Sequence, residues 1–150
     1  MTPALNSIIS ELKDADKQER IDLLIDFAKS LPALPERLVA HKDASHRVEE
    51  CQSPVYLFVE IEDGKAHYYA DAPVEAPTVR GFVSLLIEGL NGATVEQVLG
   101  TPNDLVEICG LREILGMLRV RGLHGVLRRL KAETVKATGN SPSGTASANS

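Results

Sequence analysis

The chain has 150 residues, a net charge of −5, 43% apolar and 25% charged residues, no Trp, and only three Phe and three Tyr. That length suits one soluble domain with a core built from Leu, Ile, Val and Ala, and the acidic balance excludes a general affinity for nucleic acid, which needs many cations facing phosphates. No apolar run approaches the roughly 18 residues of a membrane span, and Met1-Thr2-Pro3-Ala4-Leu5 lacks the basic-then-apolar order of a secretory signal, so a cytoplasmic protein with no membrane partner is expected.

Thr2-Pro3 reads as an N-cap followed by proline at the first helical position, and Leu5, Ile8, Ile9 and Leu12 follow at helical spacing. Asp16 and Glu19 have the spacing of a capping box, and Ile21, Leu24, Ile25, Ala28 and Leu31 give the buried stripe of a second helix. Pro32 and Pro35 stop it. Residues 33 to 53 show neither helical nor strand period, and an irregular stretch of that length inside a compact domain is often functional.

Pro54 to Glu62 alternates as a strand, with Val55, Leu57, Val59 and Ile61 on one face and Tyr56, Phe58, Glu60 and Glu62 on the other. Asp63-Gly64 is a hairpin turn signal, and Lys65 to Asp71 forms the returning strand. Val79 to Leu90 is a buried helix stopped at Asn91-Gly92, and Thr94 with Gln97 caps a short one. A further turn or two is expected over Pro102 to Ile108, and Leu123, Val126, Leu127 and Leu130 form the stripe of a C-terminal helix fading near Ala137. Residues 138 to 150 contain only small and polar residues and proline, which predicts a disordered tail after a domain of residues 1 to 137. The fold class is α+β: a small antiparallel β-sheet with several α-helices packed on one side.

Cys51 and Cys109 are too few for a disulfide framework, so both are expected as free thiols. Cys109 lies in an apolar run and reads as a buried helical cysteine. Cys51 has Glu49, Glu50, Gln52 and Ser53 as neighbours, and a thiol in a polar loop is a candidate for chemistry rather than packing. Three other constellations are weaker. His41, His46 and Cys51 are spaced more widely than the usual paired zinc ligands, so no metal site is expected. His67 and His124 are the imidazoles that a Cys–His hydrolase would need to bring to Cys51. Arg119, Arg121, Arg128, Arg129, Lys131 and Lys136 read as a solvated basic face opposite the leucines.

Around Cys51 the chain resembles the SufE family, whose motif V-x-G-C-x-S-x-V-W is matched by Val48, Cys51, Ser53 and Val55. Glu50 and Tyr56 stand where that family usually has Gly and Trp. Leu31-Pro32-x-Leu34 matches its L-P-x-L, and Val79-Arg80-Gly81 matches its V-[KR]-G. Leu115, Arg119 and Gly122 match L-x-P-x-R-x-N-G, with Met117 and Arg121 in place of Pro and Asn. The resemblance implies a SufE/IscU-like fold and a persulfide-carrying accessory protein rather than a stand-alone enzyme. It implies that Cys51 accepts sulfur from a SufS-like cysteine desulfurase, stimulates that enzyme and passes the sulfur to an iron–sulfur scaffold. It marks Arg119 as a contact for the thiolate or for the partner. The pyridoxal phosphate of such a system belongs to the desulfurase, and this chain is expected to carry no cofactor of its own. The alternative is a non-catalytic adaptor or regulator that has kept the fold.

Overall fold

A computed structural model describes residues 1–139; of the expected disordered tail, residues 140–150 lie outside the described residues. The caps form as local chemistry dictates. The Thr2 hydroxyl accepts from the Leu5 N–H to open α1 (Pro3–Asp14), and it donates to the Gly89 carbonyl, tying the N-terminus to the helix beneath it. Asp16 and Glu19 close a reciprocal capping box at the start of α2 (Lys17–Ser30).

The stretch from 33 to 53 holds a short α3 (Glu36–Val39), a 3-10 turn (Ala44–His46) and the cysteine loop. β1 (Tyr56–Glu62) and β2 (Lys65–Asp71) then pair antiparallel, from Tyr56 opposite Asp71 to Glu62 opposite Lys65. Asp63 (φ 54°) and Gly64 (φ 76°) turn the hairpin with both central residues left-handed, which matches the strand twist.

The central α4 (Pro77–Leu90) is buried along nearly its whole length. It crosses α2 so closely that a Cβ on Gly81 would lie 2.1 Å from the Leu24 carbonyl oxygen. Arg80 beside it donates to the carbonyls of Ala28, at 2.9 Å, and Ala72. The Val79-Arg80-Gly81 match therefore has a packing role: it locks the end of α2 and the end of the hairpin onto α4.

α5 (Val95–Leu99), α6 (Leu105–Ile108) and α7 (Arg112–Leu115) are short turns that lead to α8 (Met117–Ala137). Gly116 (φ 79°) redirects the chain, so α8 starts well before its apolar stripe. The core is continuous from Leu5 and Leu12 through Leu24, Phe82, Leu86 and Leu90 to Leu123 and Leu127. Tyr68 on β2 reaches across it, its hydroxyl 2.7 Å from that of Thr134 on α8.

The strand faces are as the alternation predicts, but both are covered, where helices were expected on one side only. Phe58, on the face of β1 opposite Leu57, is buried because the segment before the cysteine folds over that face. The His46 ring stacks on Phe58 at 4.3 Å. Arg37 pairs with Glu60 and lies 5.6 Å from the Tyr69 ring centroid, while Lys42 Nζ is 2.7 Å from Asp71. The hairpin thus has α4 and α8 on one face and residues 36 to 46 on the other.

Candidate functional site

Cys51 sits at the tip of a loop between Val48 and Val55, both fully buried. These two close its neck, the Val48 N–H donating to the Val55 carbonyl at 2.9 Å. Inside the loop the Cys51 N–H donates to Val48, at 3.3 Å, and the Val55 N–H to Ser53, at 2.8 Å. Arg47 reaches over the loop to the Gln52 carbonyl at 3.4 Å. Below the neck, Arg129 of α8 donates to the carbonyls of Arg47, at 3.0 Å, and Ser45.

The thiol is not where its polar neighbours suggest. Cys51 is 4% exposed and belongs to the core cluster. Glu49 and Gln52 point outward, the Glu50 side chain lies half-exposed along α8, and the thiol turns fully inward against the same helix. There Gly122 provides the room: a Cβ at that position would lie 3.2 Å from Cys51 Cα and 3.4 Å from its Sγ. One turn on, Gly125 does the same for Glu50.

Burial pushes the Cys51 thiol up from its ordinary range, because the charged form loses its hydration. The Ser53 N–H and then the Arg47 guanidinium act in the opposite direction and are outweighed. In the closed loop the cysteine is therefore a protonated, protected thiol.

The other sequence candidates fall in separate places. Arg119, marked by its family match, lines a depression with Gln52, Gly116, Met117 and Leu118, and among the described residues it makes no hydrogen bond or ion pair. The cation that acts on the thiol is Arg47. Glu50 is 3.8 Å from Arg128. His46 is engaged with Phe58 and with Asp43, at 3.3 Å, and His124 is 2.9 Å from Glu107. Neither His67 nor His124 is among the groups acting on Cys51. Among the described residues no three His, Cys, Asp or Glu side chains cluster as metal ligands. Cys109 is completely buried at the end of α6, as its apolar run predicts.

The basic face of α8 is only partly solvated. Arg129 holds the base of the cysteine loop, and Lys131 donates to Thr101 and to Asn103, at 2.7 Å for the latter. Gly125 is the site residue that sequence reasoning missed outright; Gly122 entered only as a motif match and Arg129 only as part of the basic face. The available signal was glycine twice in the interior of a helix, where each costs about 1 kcal/mol relative to alanine unless a close approach requires it.

Residues 6–134 match the SufE family, described as an Fe-S metabolism associated domain. The chain belongs to the SufE family. A SufE-like protein of Mycobacterium tuberculosis is 38% identical over 128 residues, covering 85% of this chain and 88% of that protein. A SufE-like protein of Synechocystis is 30% identical over 136 residues, covering 90% and 82%. A solution structure of a hypothetical protein from Thermus thermophilus superposes with a TM-score of 0.81 at 36% identity, covering 93% of this chain and 99% of that one. The name cysteine desulfuration protein SufE belongs to a Plasmodium vivax relative, 26% identical over 88% of this chain and 53% of its own length. SufE membership places the chain in iron–sulfur metabolism. No helix among its described residues is long and apolar enough to cross a membrane.

Proposed function

We propose that this SufE chain is a cytoplasmic sulfur acceptor whose working atom is the Cys51 sulfur. The observation that carries the reading is the placement of Cys51: a thiol packed on Gly122 of α8 at the tip of a loop, with no hydrogen bond from residues 49–53 to any other element among the described residues. Such a loop opens at far smaller cost than a core helix unfolds. Opening returns the thiol to water, where its ionisation falls back toward the ordinary thiol range and where Arg47 is the nearby cation.

The transfer step is an exchange at sulfur. The partner, a SufS-like cysteine desulfurase, carries a persulfide on its own cysteine. The Cys51 thiolate attacks the outer sulfur, the partner's S–S bond breaks, its cysteine leaves as a thiolate, and the persulfide now stands on Cys51. The closed loop would then shield the bound sulfur until an iron–sulfur scaffold takes it. Pyridoxal phosphate stays with the desulfurase. Arg119, beside Gln52 and the exposed Met117 and Leu118, suits a partner contact better than a thiolate contact in the closed loop.

Incubation with a cysteine desulfurase and free cysteine should add about 32 Da to the peptide carrying Cys51 and not to that carrying Cys109. Cys51→Ser should lose both the added mass and the stimulation of the desulfurase, with an unchanged melting temperature. Stimulation by Cys51→Ser equal to wild type would instead identify a non-catalytic adaptor.

A further inference from the structure

The outer surface of the cysteine loop contains an arrangement that the transfer step itself does not use. The Glu50 side chain lies directly on Gly125: an ideal Cβ there would be 2.4 Å from Glu50 Cβ, 2.9 Å from Cγ and 3.2 Å from Cδ. The Glu50 carboxylate then reaches along α8 to Arg128, at 3.8 Å. Among the described residues this pair is the one polar tie between residues 49–53 and another element of the fold; the remaining hydrogen bonds of that segment stay within residues 47–55.

We propose that Glu50 is a positioning residue that holds Cys51 in its buried place, its side chain fitting a notch created by Gly125 and its carboxylate clasping Arg128. The proposal rests on the reading of Cys51 as the reactive thiol and adds how its availability is set. Cys51 and Glu50 are adjacent, and they rest on Gly122 and Gly125, one turn apart on the same helix. The loop cannot carry the thiol away from Gly122 without also lifting Glu50 from Gly125. The ion pair alone is weak, since its side chains are 45% and 61% exposed and such pairs are readily screened. Its contribution is orientation. The fit of the Glu50 side chain against the helix backbone supplies the larger part.

Iodoacetamide labelling of the native full chain tests this without any desulfurase, with Cys109 as the internal reporter of global unfolding. Glu50→Ala should label Cys51 about fivefold faster than wild type, the factor that corresponds to about 1 kcal/mol, with Cys109 unchanged. The increase should be the same at every pH, because a latch scales the population of open loop. A carboxylate acting on the thiol would instead move the midpoint of the pH profile. Glu50→Gln keeps the fit and loses the clasp, so its increase should be smaller, about twofold. Gly125→Ala fills the notch and should raise the rate much as Glu50→Ala does. Glu50→Gly removes the Cβ as well, so in that background Gly125→Ala should raise the rate no further, the contact being already gone. Labelling of Glu50→Ala at the wild-type rate would overturn the proposal. So would a parallel increase at Cys109, or a further increase from Gly125→Ala in the Glu50→Gly background. These outcomes leave the acceptor reading intact, since that reading stands or falls on the sulfur mass added to Cys51 by a desulfurase.

Discussion

The two thiols of this chain are equally hidden and differently held. Cys51 is 4% exposed and Cys109 is 0% exposed, and burial raises both in pKa. Cys109 ends α6 with its N–H on the Leu105 carbonyl at 3.0 Å. Arg20 pins the glycine turn that follows, donating to Gly110, at 3.4 Å, and also to Leu12, at 2.7 Å, and Lys13, at 3.2 Å. Exposing Cys109 means parting α1 and α2 from that turn. Exposing Cys51 means lifting one loop from two glycines. Burial by itself therefore does not separate an inert cysteine from a working one; what must move to uncover the sulfur does.

The sharpest test of that contrast is a rate. In native conditions Cys51 should be alkylated at least about a hundredfold faster than Cys109, because one needs local opening and the other global unfolding. Peptide mass analysis over a time course reads both rates in one sample. Equal rates would mean that the two sites share one opening event and that the loop is not an independent unit.

A second test breaks the comparison from the side of Cys109. Its thiol is pushed up to about 12 by burial, so the folded state keeps a proton that the unfolded chain begins to release near pH 9. The associated stability is complete below about pH 9 and is lost as pH rises toward 12. The Tyr68 phenol, also raised to about 12, adds a loss of the same sign that starts from pH 10. Cys109→Ala should start about 1 kcal/mol less stable at pH 7, from the small cavity, and lose less than wild type between pH 9 and 11. Denaturant unfolding at both pH values measures it, and parallel losses in the two proteins would refute the burial argument.

The same contrast explains what the sequence could and could not disclose. The caps at Thr2, Asp16 and Thr94 and the turn at Asp63-Gly64 were legible because each is settled by residues within three positions. The α+β layout followed from those boundaries and from the periods between them. The cysteine was found through its motif, but its burial was not. Glu49, Glu50 and Gln52 describe the outside of the loop, whereas the inside is described by Gly122 and Gly125, far along the chain. The cover over Phe58 was hidden in the same way, since His46 comes from a stretch without periodicity. The family-matched Arg119 indicated an important position without saying whether it served the thiol or a partner.

That last ambiguity yields the smallest expected effect and a clean separation. Arg47 acts on Cys51 in two opposed ways. Its charge favours the thiolate, behind burial and the Ser53 N–H in size, and its guanidinium also holds the Gln52 carbonyl. Arg47→Ala should therefore shift the pH profile of alkylation upward while raising its high-pH plateau, leaving a net change of only about twofold at neutral pH. Arg119→Ala touches neither contact, so the whole alkylation profile should overlay that of wild type. If Arg119 meets the desulfurase instead, the same variant should take up persulfide sulfur more slowly, and the deficit should shrink as the desulfurase concentration rises. A shifted alkylation profile in Arg119→Ala would move that residue from the docking surface to the thiol. Unchanged uptake at every desulfurase concentration would remove it from both roles.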